Sequence, residues 1–385
     1  RKGRGVRRIY LDHNATTPLR QEARDAMIAA MDVVGNPSSV HAEGRAAKAI
    51  VERARWQVAA LVGCETQEIV FTGSATESAK TAVQAFGCEY RTVCAAVDHD
   101  AVWAHKHIDY AFRTCSSGVL DIAHDFDTEF LGAVNPLDAF AVQAANSETG
   151  VLQDVPSDFS YIAERLPMKS RLLCDAVQIW GKRQFSFRKS GADAAMISAH
   201  KIGGPKGAAA LIIRTGVDDV ERNPLVEGGG QEMGRRSGTE NVIGIAGFGA
   251  AAAAAARDVE AGAWDRVEKL RNILESALEA ASNRIIFVGK DVARLPNTSC
   301  FITPGWKGET QVMQMDLSGF AISSGSACSS GKVKASRVLK AMGYSEDEAA
   351  SAIRVSLGLE TTEEDVLRFA DVWTEKLKKH EARAA

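Results

Sequence analysis

The sequence predicts an α/β fold, with a large unit built on a mainly parallel sheet and a smaller α+β unit after it. Three observations point there. Short β-branched runs alternate with longer helical patterns along the first half of the chain. The 385 residues exceed what one core usually holds, so two domains are the default. From Gly244 the pattern changes to a long Ala-rich stretch, followed by short strands and a last helix.

The elements follow in order. EIVFT (68–72) reads as a strand, and GSATESAKTAVQAF after it as a helix. RTVCAAV (91–97) reads as a second strand, with DHDAVWAHKHIDYAF (98–112) as its helix. AFAVQAAN (139–146) and RLLCDAV (171–177) are similar short runs, and ADAAMISAH (192–200) leads into a Gly-rich turn. Strands that alternate with helices imply crossover units, which parallel pairing requires. Alanine has the highest intrinsic helix propensity, so the run from Gly244 reads as a connecting helix reaching roughly Ala281, with a break near Gly262. RIIFVG (284–289), TSCFI (298–302) and FAISSG (320–325) are then short strands, and EEDVLRFADVWTEKLKKH is the closing helix. The smaller unit begins near residue 250, and no internal repeat is evident.

Composition narrows the classes. Apolar residues make up 45% and charged residues 25%, as in an ordinary soluble protein. A net charge of −3 and a pI of about 6.3 give no electrostatic case for nucleic acid or a membrane surface. RKGRGVRR at the start carries five basic side chains but no apolar region follows, so a frayed tail is expected rather than a secretory signal. VIGIAGFGAAAAAAA (242–256) is too short and too rich in Ala and Gly to be expected to span a bilayer. The seven cysteines have irregular spacing and no C-x-x-C pair, which argues for a reducing cytosol over a disulfide framework or zinc ribbon. Most of them, Cys174 and Cys300 included, fit small buried hydrophobes. Among the eight histidines there is no H-E-x-x-H, so no structural metal is expected.

In open parallel sheets, ligands bind beyond the C-terminal strand ends, so the polar residues there matter most. Lys201, in ISAHKIGGPKG, follows an apolar strand and precedes a glycine turn. Loss of solvation there lowers a lysine pKa and favours the neutral amine that Schiff-base chemistry needs; the plainer alternative is a solvated loop lysine. Asp175 ends RLLCD, where a carboxylate can bind a protonated pyridine nitrogen or simply close a turn. GSATES (73–78) opens a helix after a strand, an arrangement that offers backbone N–H groups to a phosphate, although Ser and Thr cap most helices. Gln178 stands three residues past Asp175, within reach of a ring hydroxyl, and Ser198 and His200 flank the lysine as phosphate donors. Strand-Ser/Thr-helix, then Asp, then His-Lys is the set that a pyridoxal phosphate site requires.

Cys328 is different from the other thiols. It lies in SSGSACSSGK (323–332), where no core strand or helix face can bury it. A Gly/Ser-rich segment gives such a thiol conformational reach.

These motifs together resemble the cysteine desulfurases, the NifS/IscS-like group of the class V aminotransferase-fold enzymes. The resemblance runs from YLDHNATTP (10–18) and GNPSSVHAEGRAA (35–47) through NSETGVLQD (146–154), CDAVQIWGK (174–182) and GGGQEMGRRSGTEN (228–241) to IRVSLGLETTEED (353–365). It implies the type I pyridoxal-phosphate-dependent transferase fold. A large domain at 16–250 would carry a mainly parallel seven-stranded sheet, and 251–385, with the segment 1–15, would form the small α+β domain bearing the cysteine loop.

The implied chemistry is removal of sulfur from L-cysteine to give L-alanine and a persulfide on Cys328, passed to an iron–sulfur scaffold or other acceptor. Lys201 would form the Schiff base with pyridoxal 5′-phosphate, Asp175 would pair with the pyridine nitrogen, and Gln178 would contact the ring oxygen. Ala75, Thr76, Ser198 and His200 would hold the phosphate. Thr239 would reach the phosphate of the neighbouring subunit, which implies a homodimer. His99 would stack on the ring and move protons, and Asn146 and Arg354 would hold the substrate, the arginine by bidentate pairing. More ordinary roles exist for two of these: His99 at a helix N-terminus, and Arg354 as a strand arginine paired with a surface acid.

The chain departs from the family pattern at Ser147, Met233 and Asp98, and in KVKAS (332–336), which bears on partner recognition. An aminotransferase or a selenocysteine lyase of the same fold is the nearest alternative activity. A non-enzymatic sulfur relay or a Cys-ligated metal carrier is the alternative from another class. A cytoplasmic enzyme is expected.

Overall fold

The computed structural model describes residues 8–87, 92–107, 110–122, 139–165, 170–217, 221, 223–324 and 335–384. In chain order its elements begin with β1 (Ile9–Tyr10), α1 (Gln21–Met31), α2 (Ala42–Val62), β2 (Ile69–Thr72), α3 (Ala75–Ala85), β3 (Thr92–Val93) and α4 (Asp100–Trp103). Then come β4 (Ala139–Gln143), α5 (Val155–Arg165), β5 (Arg171–Asp175), α6 (Phe187–Ser190), β6 (Ala194–Ser198) and β7 (Ala209–Ile213). The remainder is α7 (Val242–Glu260), α8 (Ala263–Ala281), β8 (Ile286–Phe287), β9 (Thr298–Ile302), α9 (Gly308–Leu317), β10 (Phe320–Ala321), β11 (Ser323–Ser324), α10 (Arg337–Ala341), α11 (Glu346–Ala350), β12 (Ala352–Ser356) and α12 (Glu363–Ala384).

The main sheet has the order β2-β7-β6-β5-β4-β3 among the described residues. Its β3–β4, β4–β5 and β5–β6 pairs are parallel, whereas β7 runs antiparallel to both β6 and β2. Six of its strands lie among the described residues. Beyond β3, among the described residues, the ladder continues as isolated parallel bridges, Thr92 with Lys106 and Ala95 with Phe112. That pairing also explains why the expected helix over 98–112 is a single turn, α4. The chain turns back at His105, whose carbonyl accepts from Thr92 N at 3.1 Å, and His107 N returns a bond to Thr92 O at 2.8 Å.

Burial on both faces explains the strand composition. Phe140, Val142, Leu172, Cys174, Ala195 and Ile197 alternate into one core, while Ala139, Ala141, Leu173, Ala194 and Met196 alternate into another. Strands covered on both sides read as continuous apolar runs. A second, antiparallel sheet has the order β11-β12-β9-β8 and carries a separate core, with Phe301, Ile353 and Val355 packed against Leu274 of α8 and Phe369 and Trp373 of α12. The parallel β1–β10 pair ties the N-terminal segment to this half.

The Ala-rich run forms α7, and Gly262 breaks it from α8 at φ 67°. At 19 residues α7 is longer than the apolar run in the sequence and passes for a membrane span by length and composition. Its packing shows a core helix instead. A Cβ at Gly249 would lie 2.5 Å from Ala54 Cα of α2, and one at Gly247 would lie 2.6 Å from Met27 Cγ of α1. Only glycine allows that approach.

Candidate active site

The C-terminal ends of β4, β5 and β6 place Gln143, Asp175 and Ser198 around one cleft of about 530 Å³. Lys201, His200, Gln178, His99, Ala75 and Thr76 line it as well, so eight of the twelve residues singled out from the sequence converge there, Asp175 and Ser198 among them. A neighbouring cleft of about 430 Å³ shares His99, Ser147 and Lys201 and extends to Glu148, Arg337 and Arg354.

Lys201 ends a short 3₁₀ turn, Ala199–Lys201, directly after β6. Its Nζ donates to Asn14 O at 2.6 Å and Ala15 O at 3.0 Å. Burial, reinforced by the Arg354 charge, lowers its pKa from 10.5 to about 8, against the opposing pull of Asp175 and Asp12. It is not a solvated loop lysine. At pH 7 to 8 a useful fraction of it is the nucleophilic free amine.

Asp175 lies buried at the end of β5, with Oδ1 accepting Val177 N at 3.1 Å. Burial raises its carboxyl while the neighbouring His99 and Lys201 charges lower it. Its turn-closing bond occupies one oxygen, so the two roles weighed from the sequence are compatible. Across the cleft, Ser74 caps α3 by accepting Glu77 N at 3.1 Å. The N–H groups of Ala75 and Thr76 belong to the first turn, where no intrahelical acceptor exists. His200 Nδ1 lies 3.2 Å from Thr16 Oγ1, and burial followed by the Lys201 and Lys206 charges lowers it to about 4, so the ring is neutral.

His99 is the N-cap of α4, and its Nδ1 accepts Ala101 N at 3.1 Å. That bond puts the proton of the neutral ring on Nε2. The helix-end role therefore leaves the neutral ring as an Nε2–H donor.

Asn146 and Thr239 are not brought to the cleft. Both amide hydrogens of Asn146 are directed inward, to Val97 O at 2.9 Å and Gln143 Oε1 at 3.3 Å, and Oδ1 accepts Glu148 N and Thr149 N. The side chain has no remaining group for a ligand; it shapes the NSETG turn. Thr239 is exposed and away from the cleft of its own chain. Arg354, on β12, lines the neighbouring cleft, with Nη2 on Asp12 Oδ1 at 2.7 Å and Nη1 on Ser147 O at 3.0 Å. The acid beside it is therefore a half-buried one from the LDHNATT segment. Its Nε is buried without a partner among the described residues. Cys328 lies outside the described residues.

Sequence reasoning passed over Asn14, Asp12 and Lys182. Asn14 is 1% exposed and joins both halves, through Nδ2 to Thr298 Oγ1 at 2.9 Å and Ser147 O at 3.2 Å, while its N–H donates to Ser356 Oγ at 3.0 Å. The only signal available was an Asn in an otherwise strand-like entry, IYLDHNATT.

The donor set fits a phosphorylated pyridine aldehyde. The cleft offers helix N–H groups and a hydroxyl for the phosphate, a carboxylate with one oxygen uncommitted for a ring N–H, and a low-pKa amine for the aldehyde.

Residues 9–369 match the family Aminotransferase class-V. The cysteine desulfurase of Enterobacter agglomerans is 37% identical over 376 residues, covering 94% of this chain and 90% of that protein. The cysteine desulfurase IscS of Dictyoglomus turgidum is 34% identical, covering 95% and 93%. The X-ray structure of a NifS-like protein from Rickettsia africae superposes with a TM-score of 0.85 at 33% identity, covering 96% of this chain and 99% of that one. The chain belongs to the class V aminotransferase family, in its cysteine desulfurase group.

Proposed function

We propose that the protein removes sulfur from L-cysteine, releasing L-alanine and leaving the sulfur as a persulfide on Cys328 for transfer to an acceptor. One observation carries the reading. Lys201, Asp175, His99 and the first turn of α3, distant in sequence, face one cleft whose amine is already held near pH 8.

Pyridoxal 5′-phosphate, when bound, acts as an electron sink for the substrate α-carbon. Asp175 would hold its ring nitrogen and Gln178 its ring oxygen. Ala75, Thr76, Ser198 and His200 would hold its phosphate, with Thr239 of a second copy reaching the same group. Lys201, in its neutral form, takes the α-proton and later returns a proton to carbon. Arg354 orients the substrate carboxylate, and the Asp12 carboxylate fixes the guanidinium for that task. His99 assists proton movement at the substrate sulfur as a donor, through the Nε2–H that its bond from Ala101 N leaves on the ring. Cys328, as thiolate, attacks the substrate sulfur; the C–S bond breaks, and its electrons return to the alanine carbon skeleton. Asn146 acts from behind, holding the turn that presents Ser147 O to Arg354.

A homodimer is part of the proposal. Ile28, Met31, Val34 and Val40 are exposed apolar residues near the α1–α2 connection, and Thr239 is exposed and does not line its own cleft. The acceptor is an iron–sulfur scaffold or another thiol-bearing protein, and the setting a reducing cytoplasm, supported by the five described cysteines all being free. The chain divides near residue 250 into a cofactor-binding unit (16–250) and a small unit (251–385 with 1–15), a division supported by β1 pairing with β10.

The test is mass spectrometry of the purified protein after incubation with L-cysteine. Added sulfur located on Cys328, with alanine as product, supports the reading. Mercaptopyruvate with no added sulfur points to the aminotransferase instead. A higher rate on L-selenocysteine points to the lyase.

A further inference from the structure

Lys182 is 3% exposed, and among the described residues no carboxylate pairs with it. Among the described residues its Nζ donates to two amide oxygens, Gln178 Oε1 at 2.8 Å and Asn14 Oδ1 at 3.1 Å. Burial, then the Lys201 and Arg354 charges, drive its pKa well down. An amine in dry surroundings without a counter-ion is unfavourable by several kcal/mol if charged, and nothing about packing requires it, since a methionine fills similar space.

What the amine does is legible from the hydrogen bonds. A glutamine amide presents an acceptor on one side and donors on the other, and its orientation follows from its partners. At Gln178, Lys182 supplies a donor to Oε1, while Asn14 O accepts from Nε2 at 3.0 Å. Both contacts demand the same orientation. The second Nε2–H is then left facing the cleft that Gln178 lines. Asn14 O is also the carbonyl that holds Lys201 Nζ at 2.6 Å, and Asn14 Oδ1 is fixed by Asn297 Nδ2 at 3.1 Å. The two lysines thus share Asn14, one on its carbonyl and one on its side chain.

We infer that Lys182 is a positioning residue: by donating to Gln178 Oε1 it turns that amide so that an N–H, rather than a carbonyl, faces the cofactor ring. This rests on the functional reading above. Without Lys182 only the Asn14 O contact opposes a flip of the amide, and the flipped form would set Oε1 against that carbonyl.

The experiment measures pyridoxal phosphate affinity of the cofactor-free protein, by tryptophan quenching and by the Schiff-base absorption band, for Lys182→Met, Gln178→Leu and the double variant. Each single change should weaken binding about tenfold, the worth of one hydrogen bond, and shift the band maximum alike. The double variant should bind no more weakly than either single one. Unchanged affinity in Lys182→Met, or losses that multiply to about a hundredfold, overturns the inference. Lys182→Gln keeps a donor and should bind within about threefold of the parent. If Lys182→Met fails to fold, that variant decides against Gln178→Leu: parent-like affinity supports positioning, and a loss equal to that of Gln178→Leu overturns it. Absence of any band in the parent protein overturns the functional reading itself.

Discussion

Uptake of pyridoxal phosphate by the cofactor-free protein should follow the titration of Lys201. Only the neutral amine attacks an aldehyde, so the second-order rate reports the neutral fraction. Burial holds the group at about 8 where an exposed lysine has 10.5. At pH 7.5 that makes roughly a quarter of Lys201 neutral, against about one part in a thousand for an unperturbed lysine. The gain is on the order of two hundredfold. The rate should rise about tenfold per pH unit below the midpoint and level off above pH 9. Measuring from pH 7 upward keeps the cofactor phosphate dianionic, since its second ionisation lies near 6. Stopped-flow growth of the Schiff-base band supplies the rate. Because the Arg354 charge is the second cause of the lowering, Arg354→Gln should move the midpoint upward. A rate still climbing at pH 10 in the parent protein would refute the claim that this amine is desolvated, and one flat from pH 7 would refute a midpoint near 8.

The remaining outcomes concern the other parts of the site and the frame. Cys328→Ser should take up the cofactor normally and form no persulfide; alanine and sulfide at the parent rate would exclude the thiol as acceptor. Arg354→Lys should raise KM for L-cysteine about tenfold to a hundredfold with kcat nearly intact, since one charge-assisted bond of ~1.5–3 kcal/mol is lost; an unchanged KM assigns the arginine to its Asp12 pair alone. Lys201→Met should stabilise the cofactor-free protein below pH 8. The folded pKa lies below the unfolded one, so the destabilisation is fully present below about 8 and fades as pH rises toward 10.5. Its ceiling is ~3 kcal/mol, reduced by the two carbonyls left without Nζ, and denaturant midpoints that do not converge at high pH would contradict it. Arg55→Met should cost about 3–5 kcal/mol by leaving Glu232 buried and unpaired. That pair is 2.7 Å long with both side chains buried, and it anchors a loop where Glu232 and Met233 take φ of 51° and 58°. A loss under 1 kcal/mol in urea titration would show the loop is held by other contacts.

Much of this was readable in the sequence, and the failures have identifiable causes. Asp175, Ser198 and Lys201 could be placed because each directly follows an apolar strand run, and strand ends are where open parallel sheets bind ligands. β7 was not anticipated: AALII is a short apolar run that periodicity cannot assign to strand or helix. The 98–112 segment carried helical spacing, yet the edge of β3 offered Lys106 and Phe112 backbone partners, and pairing won over local preference. The orientation of Asn146 was not legible for a different reason. An amide can satisfy a turn or a ligand, and only the positions of Val97 O and Glu148 N decide between them. Asn14 and Lys182 were invisible because their partners are up to 342 residues away in sequence.

The electrostatics of the cleft also explain how a ligand could be oriented before any covalent bond forms. Burial raises Asp175 and lowers Lys201, so each charge is less favoured than in water, and it keeps His200 neutral. A desolvated wall of this kind favours whichever ligand supplies the missing partner. The α3 end presents N–H groups and the positive end of a helix dipole, which suit a dianion. The β5 end presents a carboxylate whose charge is favoured only if a proton donor faces it. A ligand reversed in the cleft would put its phosphate against Asp175, two anions in low dielectric, and its ring nitrogen against N–H donors. Turned the other way, both ends are paired. The sign of charge at the two walls thus selects one orientation, and Lys201 then needs only its neutral form to complete the attachment.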